Sequence, residues 1–552
     1  MLFAKRILIA IVILCLTFST RAEAENTIKP GAICKKVGQT SKTNQGILVC
    51  TKNKSKLVWV KVVSPTKPTP TPTPSATPTP KPSPTPTPTQ QSPVAGNNCS
   101  QLGARSNNSL GFLECRYVKG RILNWIQLST NPVAFENPKS AKNVSECKLQ
   151  GKIMGNAITG FGVDLTKEGN GTHLNSKISP AIGINDALIV PIDFPDLPGE
   201  AGIKERIISN REAFLKWINY FSSGKLKYNL DYLENWVTMP NNSSFYNKTD
   251  YNLSTEGQRD ITIIAQKYID VITQKVDLTK YRTILVIYPQ DQNVIFTDLV
   301  PRGVEFNLKE GKRQMSLFAD PAGYDRTMQT PPWVFWIHEI GHDWGLLGHA
   351  PGNGWPVGVM TNQAGLSTSL NAWERFMLTW MPDELVYCDT KDKLVEVTVK
   401  LSALERADQQ TKMIAIALDN HRLLVVEAHG IGDWTSRRPP QSYNFDKSGY
   451  YAIMTYIVDT QYTYSGPTQV NPDGSALAID DGNNPQISRY AYFSQVDGGI
   501  GSSNYNLVNF GSAATKDYNA YWAVQGDTFT IEGIRIEFVS TGDYESVRLS
   551  RS

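Results

Sequence analysis

The sequence predicts an α/β domain organised around one buried helix, followed by an all-β domain and preceded by two small disulfide-stapled repeats. Three observations predict it. A continuous apolar stretch near residue 337 carries His-Glu-x-x-His. Short apolar runs alternate with helical patterns before it, which is the signature of helices packed on a sheet. Beyond Cys388 the apolar residues recur with period two, the signature of half-buried strands.

The central stretch is Thr330-Pro-Pro-Trp-Val-Phe-Trp-Ile-His-Glu-Ile-Gly-His-Asp-Trp-Gly345. Thr330 is the expected N-cap, and Pro331 and Pro332 suit a first turn whose amide hydrogens have no intrahelical partner. Gly345 is the expected exit, because a glycine takes the left-handed conformation that ends a helix. Residues four apart on a helix share a face, so His338 and His342 can grip one metal ion between two imidazoles. Glu339 projects to the side, where it can serve a water rather than the ion. The chain has only six His, and three of them fall between His338 and His349, which makes a chance motif improbable. The ion expected at such a site is zinc, and a catalytic zinc takes three protein ligands with one open position.

His349 is the preferred third ligand. In the extended motif of this type the third His stands one position earlier, at what is here Gly348. The extra residue lies beyond Gly345, in a loop that can absorb it. Asp343 and Glu374 are the alternatives, Asp343 badly aimed around the helix and Glu374 on a later short helix. Met360 has the place of a methionine lying beneath the metal.

The chain opens with Lys5 and Arg6, an apolar run from Ile7 to Phe18, and Ala22-Glu23-Ala24, the layout of a secretory signal cut after Ala24. No other segment is a better membrane span. A net charge of +4 from 55 basic and 51 acidic residues points neither to nucleic acid nor to an acidic membrane. Of seven cysteines, removal of Cys15 with the signal leaves six. Cys34-x3-Gly-x7-Gly-x3-Cys50 is repeated position for position as Cys99-x3-Gly-x7-Gly-x3-Cys115, each copy followed by a Trp, Trp59 and Trp125. Each copy is too small for a core of its own, so a disulfide closing it is expected. That leaves Cys147 to pair with Cys388. A Pro-Thr run separates the repeats as an extended spacer. Lys52, Lys54, Lys56 and an exposed Trp59 offer a surface for cell wall or glycan; stabilised spacers are the equal alternative.

In the globular part, Ala187–Phe194 and Thr283–Tyr288 read as buried strands. Helices are expected over residues 203–221, ended by Gly224, and from about 261 to 272. Gly354–Met360 reads as a loop and Leu370–Trp380 as a short helix. The C-terminal strands are expected at 395–401, 412–418, 422–427, 450–458 and 528–538, in a sandwich or barrel. Asp473, Asp480 and Asp481 offer oxygen ligands for calcium at no recognised spacing, and a solvated loop is the simpler reading.

From Ile184 to the C-terminus the chain resembles the immune inhibitor A family of secreted bacterial zinc metalloproteases. The resemblance rests on Val190-Pro-Ile-Asp-Phe-Pro-Asp196, Ser223-Gly-Lys-Leu226 with Trp236, His338-Glu-Ile-Gly-His-Asp-Trp-Gly345 and Trp373 with Leu378-Thr-Trp380. It implies a zincin fold, endopeptidase activity on protein or peptide substrates, zinc on His338 and His342, and Glu339 as base. Two positions depart from such sites: the His at 349, and the absence of a Tyr two residues after Met360. The expected layout is a signal peptide at 1–24, repeats at 25–63 and 97–131 around a 64–96 linker, a zinc metalloprotease domain at 132–385 and a β domain at 386–552. A secreted zinc endopeptidase is the expectation. The rival is a cell-surface or wall-binding protein with a degenerate zincin domain.

Overall fold

The computed structural model describes residues 32–34, 40–43, 46–53, 56–61, 93–148, 179–246, 255–290, 299–319, 330–344, 346, 358–360, 367–420, 422–435, 452–459, 463–464, 468–470, 476–478, 492–495 and 523–552. The expected signal peptide, His349 and the three candidate calcium aspartates lie outside these residues. So does almost all of the Pro-Thr linker. The chain divides into two compact units, Met1–Gln90 and Gln91–Ser552. Among the described residues no helix is long and apolar enough to cross a membrane.

Each repeat is a three-stranded antiparallel sheet closed by a disulfide, Cys34–Cys50 in the first unit and Cys99–Cys115 in the second. The Trp pairs across the strands with the second cysteine, Trp59 with Cys50 and Trp125 with Cys115. The two Trp offsets differ by one residue because two residues separate the second and third strands of the first repeat and three, Lys119–Arg121, those of the second. Trp59 is buried at 5 % exposure with both cysteines and Leu48, which corrects the expectation of an exposed aromatic. The indole covers the disulfide because so small a sheet has little else to bury. The second repeat is fixed to the C-terminal strands by Arg116, which donates to Glu114, Thr541, Gly542 and Glu545.

The α/β part begins with β1 (Gly183–Asp193), α1 (Ile203–Phe221), β2 (Leu226–Tyr232), α2 (Thr255–Ile272) and β3 (Thr283–Ile287). A hairpin, β4 (Val304–Leu308) and β5 (Gly311–Ala319), and the motif helix α3 (Pro332–Asp343) complete it. The sheet order is β4-β5-β3-β1-β2, with β4 antiparallel to β5 and the others parallel; a two-residue strand at Val237–Thr238 extends β1. Parallel neighbours require crossovers, and α1 and α2 supply them. Alternate residues of β1 and β3 bury on opposite faces. Ala187, Ile189 and Leu285 meet α1 and α3, whereas Leu188, Val190 and Ile284 meet α2. Two-sided burial explains why these strands read as unbroken apolar runs.

After α4 (Ala372–Met377) the chain forms β6 (Val386–Thr390), β7 (Val397–Leu401), β8 (Met413–Ala417), β9 (Arg422–His429), β10 (Ala452–Asp459) and β11 (Tyr492–Gln495). It ends in β12 (Thr528–Ile531), β13 (Ile534–Ser540) and β14 (Glu545–Arg551). One sheet has the order β6-β8-β9-β10-β11, the other β7-β14-β13-β12. Residues 528–538, expected as one strand, are a hairpin: Glu532 and Gly533 both have positive φ, 49° and 75°, as a tight two-residue turn demands. The five-stranded sheet buries Ile414, Leu424 and Val426 against the other sheet. Its opposite face, with Met413, Val425 and Tyr456, shares one continuous core with α1, α3 and α4. Cys147 and Cys388 are bonded across 241 residues, so residues 132–148 run beside the C-terminal strands; Asn137 there bonds Lys400 and Thr411.

Candidate metal centre

Helix α3 is buried along nearly its whole length, by Val334, Phe335, Trp336, Ile337 and Ile340. Its N-cap is Pro331 rather than Thr330. Pro332 pushes the residue before it to extended ψ, 149° at Pro331, and Pro331 has no amide hydrogen to leave unpaired, so the helix starts one residue later than expected. It stops after Asp343, where the Trp344 amide bonds Ile340 and the Leu346 amide reaches back to the Gly341 carbonyl. That bond satisfies one of the carbonyls left open at the helix end. The expected exit residue, Gly345, lies outside the described residues.

The helix places His338, Glu339 and His342 together, each only 5–6 % exposed. The two imidazoles stand 4.9 Å apart between centroids with planes at 88°. Each ring is oriented by a backbone carbonyl: His338 Nδ1 donates to Val359 at 2.8 Å and His342 Nδ1 to Leu346 at 2.7 Å. A carbonyl can only accept, so Nδ1 of each ring carries a hydrogen. This outer hydrogen bond is what metal-ligating histidines carry. Burial also lowers the His338 pKa, which favours the neutral ring. The pair therefore fits a divalent metal such as zinc.

Met360 lies fully buried beneath α3. Its sulfur is 2.5 Å from where a Cβ on Gly341 would stand, so a side chain there would have to displace the buried thioether. Val359, next to it, supplies the carbonyl that orients His338.

Neither alternative third ligand joins the histidines. Among the described residues, no group of three His, Cys, Asp or Glu is placed to hold a metal. Glu374 closes a capping box at the start of α4, its carboxylate accepting from the Asn371 amide. Burial, with Glu427 nearby, raises its pKa well above the carboxylate range. Asp343 accepts from Ser316 Oγ at 2.7 Å, and burial raises it to about 6. His349, the preferred residue, lies outside the described residues.

Arg302 was not visible in the sequence reading. It donates from Nη2 to Glu339 Oε2 and is 37 % exposed in its side chain. It precedes β4 by two residues and has no fixed spacing from the motif, so only the folded sheet brings it there.

The end of β9 and the start of α4 meet in a buried polar cluster. His429 lies between Glu405 and Glu427, at 2.8 and 2.9 Å. The second oxygen of Glu427 accepts from the Ala372 amide and from the Tyr456 hydroxyl. A carboxylate at the opening turn of α4 meets amides with no helical partner. Glu405 also accepts from Ser369, whose carbonyl receives the Val359 amide.

No protein-family model and no curated protein matches the chain. It is similar to solved structures of OgpA from Akkermansia muciniphila. Against the wild type, the identity is 10 % over 54 % of this chain and 92 % of that one, with a TM-score of 0.23. Against the catalytically inactive form in complex with an O-glycopeptide (glycodrosocin) substrate, it is 12 % over 54 % and 91 %, with a TM-score of 0.18. These values describe a remote likeness and assign the chain to no family.

Proposed function

We propose that this chain is an exported zinc-dependent endopeptidase. The carrying observation is that His338 and His342, on successive turns beside Glu339, each hold Nδ1 on a backbone carbonyl, the outer hydrogen bond that orients a metal-ligating imidazole. His349 completes the ligand set in this reading. When bound, zinc polarises the scissile carbonyl and makes a water nucleophilic at neutral pH. Glu339 accepts the proton of that water and passes it to the leaving amine. The surrounding burial keeps the local dielectric low, which strengthens each of these interactions. Three disulfides support export, because such bonds persist in oxidising compartments.

The test is zinc content beside casein hydrolysis, for the wild type and Glu339→Gln. The variant should keep its zinc, because Glu339 is not a ligand, and lose activity by roughly two to four orders of magnitude. A wild type without zinc, or a variant with unchanged hydrolysis, overturns the reading.

A further inference from the structure

We infer that Arg302 is a positioning residue that holds the Glu339 carboxylate by Oε2, so that Oε1 is the oxygen presented to the space between His338 and His342. The inference rests on the metallopeptidase reading above and deepens it.

Three observations carry it. The Arg302 guanidinium donates to Oε2 of a carboxylate that is otherwise buried, and Oε1 takes no hydrogen bond among the described residues. A carboxylate gripped at one oxygen has lost most of its rotation, and the free oxygen has one direction to face. The second observation is that the Arg302 loop is itself fixed. Leu299 bridges to Ala319, the Pro301 carbonyl receives the Leu317 amide, and the Gly303 amide donates to Ser316 Oγ at 3.0 Å. Three attachments to β5 leave the loop little freedom. The third is that the same loop is tied to α3. Ser316 Oγ, having accepted from Gly303, donates to Asp343, the residue after His342. Arg302 and the motif helix are therefore registered at two points, through Glu339 and through Asp343. A surface arginine meeting a carboxylate by chance would show neither attachment.

The arrangement has a cost that makes it recognisable. A guanidinium held beside Glu339 repels a dication at the histidine pair and draws off part of the carboxylate charge that would attract one. Its removal should therefore tighten metal binding while impairing turnover. A residue that merely stabilised the fold would weaken both, and a substrate anchor would change KM.

The experiment uses the full chain with Arg302→Lys and Arg302→Met, each alone and combined with Glu339→Gln. Zinc affinity is read by chelator competition, and kcat and KM on a peptide substrate. Arg302→Met should bind zinc several-fold tighter and lose about 10- to 100-fold in kcat with KM within about two-fold, as for a misplaced general base. Arg302→Lys should keep an intermediate rate, and added guanidinium should partly restore Arg302→Met. On the Glu339→Gln background the kcat effect should vanish, because it passes through that carboxylate, and the gain in zinc affinity should shrink to the part due to direct repulsion. Unchanged kcat, a loss confined to KM, weaker zinc binding, or effects of equal size without Glu339 would each overturn the inference. If the wild type binds zinc but hydrolyses nothing, the peptidase reading fails on its own, and the Glu339-dependence of the zinc affinity decides the role of Arg302. A wild type that binds no zinc overturns both.

Discussion

Met360 occupies the volume that a side chain on Gly341 would need, its Sδ standing 2.5 Å from the Cβ position. Alanine in a helix is ordinarily better than glycine by about 1 kcal/mol. Here the added methyl must displace a fully buried thioether, an overpacking that costs about 1–3 kcal/mol. Gly341→Ala should lower the melting temperature of the metal-free protein. Because Val359 adjoins Met360 and orients His338, zinc affinity should fall about ten-fold as the outer hydrogen bond is disturbed. A raised melting temperature with unchanged zinc affinity would show that Met360 yields freely.

The third ligand is decided by two single substitutions. His349→Ala should lose zinc and activity together, since two imidazoles alone hold the ion weakly. Glu374→Ala should keep zinc and lose stability by about 1 kcal/mol or more, through its capping box at the head of α4. Zinc retained without His349 and lost without Glu374 would reverse the assignment.

The His429 cluster predicts a stability that declines in base. Burial opposes the imidazolium, but Glu405 and Glu427 outweigh it and raise His429 to about 10. A folded pKa above the unfolded value of about 6.5 means full stabilisation below that pH. The stabilisation then declines as pH rises and is gone above about 10. Urea unfolding of the wild type should weaken across this window by a few kcal/mol, and His429→Gln should flatten that slope. Parallel slopes for the two proteins would refute the assignment.

Beside the Val118–Gln525 bridge and the Ser129 amide on Asp543, the second repeat docks through one guanidinium. Arg116 is buried between Glu114 and Glu545, at 3.0 and 3.3 Å. Arg116→Met leaves the buried Glu545 without its cation and Glu114 with Arg105 alone, and should cost about 3–5 kcal/mol. Limited proteolysis should then release the 93–131 segment earlier than the rest; unchanged cleavage would mean that the module docks by other contacts.

The chemistry of the site was more legible than its boundaries. His-Glu-x-x-His placed two imidazoles and a carboxylate because a helix fixes side-chain direction by spacing alone. Val397–Leu401 and Ile534–Ser540 were found because each buries one face, whereas Met413–Ala417 and Arg422–His429 bury both and stand out as apolar runs. Thr528–Phe538 was misread because Glu532-Gly533 is a turn only by its backbone angles, and both flanks keep the strand alternation through it. Arg302 was missed for a different reason. Its meeting with Glu339 depends on the β4–β5 hairpin being placed against α3, and no local pattern encodes that distance. Trp59 was assigned to the surface by composition, where its register opposite Cys50 puts it over the disulfide.

The Cys147–Cys388 bond makes the intervening α/β region a covalent ring. One backbone cut anywhere inside that ring separates no polypeptide. It adds the mass of one water and leaves the product a single species until the disulfide is reduced. Maturation or self-cleavage within the ring would be silent on a non-reducing gel, whereas a cut in the segment before Cys147 would shed the repeats at once. Any processing history of this protein therefore has to be read twice, before and after reduction, and the difference between the two maps which side of Cys147 was cut.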